Sequence, residues 1–195
     1  KYAYVITLDQ DTLLLPGDAR RLIGTMEHPL QKGRVAVVQP AMRVSPMSVS
    51  TRAQRFLGGK SGVSAYALSA QDFYQDVFSR GSFVGKGIID PVLFSGALKG
   101  RVREERVLSH DLLEGEIAGA ALSGDIFFLD GHPKRLSGWY KRLNRWTRGD
   151  WQLFPYLFDR RLSPLSRFEV LDILRRSLVP AASLPLLIFA AGRAR

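Results

Sequence analysis

The sequence contains no cysteine. Disulfides and thiolate metal sites are therefore excluded, and a metal held by this chain takes acid or histidine ligands. The compartment stays open on this evidence, because a cytosolic protein can simply lack cysteine. Negative charge is scarce: 18 Asp+Glu stand against 28 Lys+Arg, a formal net charge of +10. Such a balance favours a polyanionic partner, whether nucleic acid, anionic lipid or a nucleotide diphosphate. No recognisable nucleic-acid-binding motif accompanies it, and no nucleic-acid partner is expected. Internal repeats and low-complexity segments are missing too. No signal peptide opens the chain, which begins within its first expected strand. What is present is a 195-residue chain with 46% hydrophobic residues, enough for one domain with a real core and too apolar for disorder.

Long uncharged stretches are rare as well, and the chain carries one, Ser177 to Gly192, after Arg175-Arg176 and before Arg193. A full membrane span needs about 20 residues. The stretch reads as the beginning of a transmembrane helix or as an interfacial helix, with the arginines holding its start on the cytoplasmic side. A buried terminal helix of a soluble domain is the other reading; Pro180 and Pro185 weigh against it. Upstream, Lys134, Arg135, Lys141, Arg142, Arg145 and Arg148 are interleaved with Trp139, Tyr140 and Trp146. That mixture suits a membrane interface or a phosphate site.

The most informative constellation lies near the start. A strand-like run, Tyr2 to Leu8, precedes two carboxylates one residue apart, Asp9-Gln10-Asp11, then Thr12 and a turn signal at Leu15-Pro16-Gly17. The run is apolar on both faces, as a central buried strand of an α/β sheet is, so its carboxyl end opens where such sheets bind ligands. Two acids there are a metal-and-phosphate address, since Mg²⁺ or Mn²⁺ takes one or two carboxylates and completes its shell with phosphate and water. A solvated acid pair in a strand-to-helix turn gives the same pattern. A phosphohydrolase nucleophile of the Asp-x-Asp-x-Thr type is excluded by spacing, because Thr12 directly follows Asp11 and position 13 is leucine.

The remaining elements alternate. A helix is expected over Gly17 to Thr25, and a buried strand over Val35 to Gln39 ended by Pro40. Ser50 to Arg80 reads as mostly helical with a break around Gly58-Gly59 and Gly62. Phe83 to Asp90 is a short glycine-punctuated stretch, Pro91 to Leu98 a helix with proline in its first turn, and Ser109 or His110 caps a helix reaching Gly119. Gly124 to Leu129 is a strand. Ser137 to Phe158 is a long helical stretch broken or kinked near Gly149 and Pro155.

Three further groups carry chemistry. Gly85-Lys86-Gly87 bares the backbone at a strand end, where a sugar or phosphate can approach closely, or forms a plain turn. In Ser109-His110-Asp111 the aspartate falls in a helix's first turn, where the dipole keeps it ionised and where acids also commonly cap. Arg142, Arg145 and Trp146 lie three and four residues apart on one helix face; guanidinium suits phosphate and indole suits a sugar or base ring, and an interfacial or core aromatic helix uses the same spacing.

In this order, Asp9-x-Asp11, Gly85-Lys86-Gly87, His110-Asp111 and Arg142-x-x-Arg145-Trp146 resemble the motifs of family 2-like, GT-A type processive glycosyltransferases. Two departures, Ser-His before Asp111 and Arg142 in place of glutamine, narrow the resemblance. Together with Gly-Ser-Phe-Val-Gly-Lys-Gly-Ile-Ile-Asp, Leu-Ser-His-Asp-Leu-Leu-Glu-Gly, Arg-Trp-Thr-Arg-Gly-Asp-Trp-Gln and Leu-Arg-Arg-Ser-Leu-Val-Pro, they look like the glucosyltransferase domain of cyclic β-1,2-glucan synthases over nearly the whole chain.

The resemblance implies an α/β fold: a partial GT-A, Rossmann-like core over residues 1–136, an interfacial helical segment over 137–176 and a truncated transmembrane or interfacial helix over 177–195. It implies an inverting enzyme that moves glucose from UDP-glucose to a growing β-1,2-glucan acceptor. Asp9 and Asp11 would hold Mg²⁺ or Mn²⁺, and Asp111 would be the base. Arg142 and Arg145 would bind the diphosphate, Trp146 would stack on a sugar, and Gly85, Lys86 and Gly87 would line the acceptor loop. It further implies a lipid-bilayer partner, the cytoplasmic face of a bacterial inner membrane, and a fragment inactive alone because the uridine-holding strands lie upstream. A synthase of another β-glucan, or a basic membrane-surface module without catalysis, are the alternatives.

Overall fold

The computed structural model describes residues 2–57, 73–102 and 111–193. Five strands, β1 (Val5–Thr7), β2 (Thr12–Leu13), β3 (Val37–Val44), β4 (Gly87–Ile89) and β5 (Ala120–Asp130), form one sheet in the order β1-β4-β3-β5-β2. β3 and β5 run parallel, and the other pairings are antiparallel. Helices α1 (Asp18–Glu27), α2 (Arg52–Leu57), α3 (Phe73–Phe78), α4 (Pro91–Leu98), α5 (Asp111–Ala118), α6 (Leu136–Gln152) and α7 (Pro164–Arg193) complete the described chain, with short 3₁₀ turns at Pro46–Ser48 and Phe154–Phe158. The fold is α/β with a mixed sheet, as the alternating sequence pattern leads one to expect.

Period-two alternation in β3 and β4 gives the sheet two apolar faces. Val38, Met42, Ile88 and Phe128 pack with Leu22 and Met26 of α1. Val37, Ile89 and Ala120 face the other way, toward Phe83 and Phe94. Because β3 and β4 bury both faces, they occupy the middle of the sheet. β1 does not. The expectation of a central strand over Tyr2 to Leu8 is corrected: only Val5–Thr7 pair, at an edge, and Val5 is exposed. An apolar run alone does not say how many neighbours a strand has.

β3 runs on past Pro40, where the sequence suggested an end. A proline gives no ladder hydrogen bond, and the pairing adapts by a register shift: Pro40 faces Ser123 while Ala41 faces Phe127. Gln39, fully buried beside this irregularity, donates to the Pro40 carbonyl at 2.7 Å and accepts from the Val84 amide at 3.0 Å. It thereby ties the segment before β4 to the sheet. α4 covers the expected residues, with Pro91 in its first turn and Asp90 accepting from the Val92 and Leu93 amides at 2.9 and 3.0 Å. The expected caps Ser109 and His110, and the glycine break at 58–62, lie outside the described residues.

α6 does not break at Gly149, which is buried within it; the helix stops at Gln152, and Pro155 lies in the 3₁₀ turn that follows. A second core joins Leu153, Tyr156 and Leu162 to Val170, Ile173 and Leu174 of α7, and includes Leu113 of α5. α7 bends by 41° between the arms Pro164–Val179 and Ala181–Arg193. Among the described residues no single helix is long and apolar enough to cross a membrane; this bent pair meets the test together, by length and composition. Leu184, Leu186, Leu187, Ile188 and Phe189 of its second arm are exposed.

Asp150, near the end of α6, is pushed up to about 6 by burial, against the opposing pull of Arg176. A carboxyl raised in this way holds its proton more tightly folded than unfolded. Its contribution to stability is fully present below about pH 4 and is lost as pH rises through about 6. Asp150→Asn, which cannot ionise, is therefore expected to gain stability relative to the parent as pH is raised from 4 to 7. Thermal midpoints across that range check this, and a pH-independent difference would contradict it.

Candidate active site

Thr7 ends β1 at one edge of the sheet and Thr12 opens β2 at the opposite edge, so the link carrying Asp9 and Asp11 runs across the sheet's end. Backbone contacts hold it there. The Thr12 amide donates to the Asp9 carbonyl at 3.1 Å, and the Gly131 amide donates to the Asp11 carbonyl at 3.0 Å. The Thr12 hydroxyl donates to Asp130, its register partner and the last residue of β5.

Lys86, immediately before β4, reaches the same place. Its ammonium donates to the Asp130 carboxylate and lies 2.8 Å from Asp9 Oδ2. Lys86 and Asp130 are largely buried, whereas the Asp9 side chain is 62% exposed. Asp11 is also open to solvent; Arg142 Nη2 of α6 stands 3.6 Å from its Oδ2. Beneath Asp11 lies Gly131, where a β-carbon would come within 2.8 Å of Oδ2.

Gly85 adopts φ 86°, a left-handed conformation natural to glycine, and a β-carbon there would come within 2.9 Å of Asp111 Oδ2. The carboxylate of Asp111, first residue of α5, therefore rests on the Gly85 backbone. Residues far apart in sequence meet here: Asp111 over Gly85, then Lys86 on Asp9. Gly87 has a different part. It is buried in β4, where a β-carbon would strike the Val38 carbonyl oxygen at 2.4 Å, so its bareness serves strand packing.

On α6, the Arg142 guanidinium lies 5.8 Å from the Trp146 ring centroid. Trp146 meets Trp139 edge-on at 6.3 Å, and Trp139 stacks on His132 at 5.3 Å. Arg145, expected on the same face, is exposed. Sequence reasoning missed Asp130, Gly131 and His132. His132 is buried, accepts at its carbonyl from Gln54 Nε2 at 2.9 Å, and has no partner for Nε2 among the described residues. Their one sequence signal is the Asp-Gly-His-Pro string closing a strand, which reads as an ordinary turn.

The link presents two exposed carboxylates in one turn, oxygen donors of the kind a hard divalent cation takes, with cationic side chains alongside. Among the described residues no three His, Asp or Glu side chains close a cage of their own. Such a pair suits an ion whose remaining ligands are phosphate and water.

No protein-family profile matches the chain. Comparison with known proteins nevertheless makes it a homologue of a glucan-synthesising enzyme, in keeping with its α/β fold. The relative is the cyclic β-(1,2)-glucan synthase NdvB of Rhizobium meliloti (strain 1021), 40% identical over 196 residues, an alignment covering 92% of this chain. The matched region is 7% of the length of NdvB.

Gly87→Ala is expected to destabilise the protein by about 2 kcal/mol or more, because the obstacle is backbone of a central strand. Denaturant unfolding checks this. An unchanged midpoint would mean that the β3–β4 contact is looser than described.

Proposed function

We propose that this chain forms part of a cyclic β-1,2-glucan synthase, the part that transfers glucose from UDP-glucose to the growing glucan. The observation that carries the reading is the convergence of the Asp9–Asp11 link, the Gly85 turn, Asp111 and Arg142 at one end of the sheet. Its homology to NdvB points to the same chemistry.

In this reading Asp9 and Asp11 would hold Mg²⁺ or Mn²⁺, which would supply positive charge against that building on the departing diphosphate. Asp111 accepts the proton of the acceptor's 2-hydroxyl. That oxygen attacks C1 from the face opposite UDP, and the bond from C1 to the diphosphate oxygen breaks, its electron pair leaving with UDP. The anomeric centre inverts. For this role the position of the carboxylate is its main requirement. Gly85 lets the acceptor approach Asp111 with no side chain between them. Arg142, at 3.6 Å from Asp11 and not in a tight ion pair, is free to turn to the diphosphate, with Arg145 supporting from the same helix. Trp146 offers a ring face to a sugar. The bent α7 crosses or lies in the bilayer of a bacterial inner membrane, with the sheet on the cytoplasmic face.

Asp111→Asn tests the reading. The amide keeps the size of the side chain yet cannot take the hydroxyl proton. The variant, assayed in membranes, is expected to fold, to bind UDP normally, and to release UDP from UDP-glucose about 10²-fold or more slowly. Near-normal turnover would remove Asp111 from the mechanism.

A further inference from the structure

We infer that Lys86 is a built-in counter-cation that makes divalent-cation binding at the Asp9–Asp11 link conditional on a nucleotide diphosphate. The inference rests on the diphosphate reading above and adds an order of binding to it.

Lys86 Nζ lies between two carboxylates of unlike character. Asp130 is 13% exposed and also accepts from the Thr12 hydroxyl, while Asp9 is 62% exposed and sits on the link. A buried carboxylate without a cation is strongly destabilising, so the ammonium cannot leave Asp130. Asp9 is the partner free to exchange. Pairing Asp130 alone would not require Nζ to reach Asp9, yet it stands 2.8 Å from Asp9 Oδ2, where it already neutralises one of the two link carboxylates that a metal ion would use.

Charge reinforces the point. Three carboxylates, Asp9, Asp11 and Asp130, face two cations, Lys86 and Arg142, leaving one net negative charge for a divalent ion arriving alone. A diphosphate changes this. It draws on Arg142, supplies phosphate oxygens to the ion's shell, and brings negative charge that offsets the ammonium's repulsion. The ion then binds with the nucleotide and not before it, which keeps the link free of metal between turnovers.

The test is Mn²⁺ titration, by calorimetry or by the spin signal of free Mn²⁺, of the whole protein purified in detergent, with and without saturating UDP. Two variants are compared with the parent. Lys86→Met removes the ammonium. Because that strands Asp130, the double variant Lys86→Met/Asp130→Asn removes the buried acid as well and keeps a hydrogen-bonding partner for Thr12. Mn²⁺ alone is expected to bind folded Lys86→Met about tenfold or more tightly than the parent, since an adjacent opposite charge shifts cation affinity at a carboxylate by that order. The double variant frees Asp9 from its ion pair but keeps the net charge of the cluster, and is expected to bind Mn²⁺ more tightly than the parent by a smaller factor. The enhancement by UDP is expected to shrink by a similar factor. If the parent shows strong coupling between UDP and Mn²⁺ but the variants match it in both titrations, the role of Lys86 is overturned. If UDP leaves Mn²⁺ affinity unchanged in the parent itself, the diphosphate reading falls and this inference with it.

Discussion

The contact on which the rest of the site depends is the ammonium of Lys86 shared between Asp130 and Asp9. It joins the start of β4 to the end of β5 although β3 lies between them, and it anchors a link that has to cross from one edge of the sheet to the other. Desolvating two charges costs several kcal/mol per ion unless geometry and further hydrogen bonds repay it. Asp130 has both, through Thr12 and Lys86. The backbone bonds from Thr12 to Asp9 and from Gly131 to Asp11 then leave the two link carboxylates facing outward on a fixed base.

Around that anchor the architecture divides its work between rigid and exchangeable parts. Gln39 ties the Gly85 segment to β3, and α5 lays Asp111 against that segment. α6 brings Arg142 to Asp11, beside the Trp146, Trp139 and His132 rings. The same helix runs into the core shared with α7, and Leu113 of α5 reaches that core too. The bent, apolar C-terminal helix and the carboxylate over Gly85 therefore share packing through a single short helix.

Much of this was legible in the sequence, and what was not has physical causes. Pro91 with Asp90, and Asp111 opening a helix, are local signals, and local structure followed them. Tyr2 to Leu8 misled because a run apolar on both faces does not fix the number of strand neighbours; only sheet order reveals an edge. Pro40 misled because a register shift in the partner strand absorbed the missing donor. The expected break near Gly149 and Pro155 falls between them, at Gln152, because Pro155 and not the buried Gly149 ends the helix. Lys86 read only as part of a glycine-bounded strand end, and its ion pair with a carboxylate 44 residues away was not foreseen. No spacing rule encodes that pairing, since it depends on which strands flank β3. Asp9, Asp11, Gly85 and Arg142 were legible as chemistry, and their meeting at one end of the sheet was legible through the resemblance of their order to the glycosyltransferase motifs.

The central claim is that this convergence serves glucosyl transfer. Its most direct test is to supply membranes containing the protein with UDP-glucose labelled in the sugar, and to determine the linkage of the polymeric product by methylation analysis. The account predicts label in 1,2-linked glucose, formed only when Mg²⁺ or Mn²⁺ is present. Label confined to another linkage, or polymer formed equally well with the metal chelated, would contradict it.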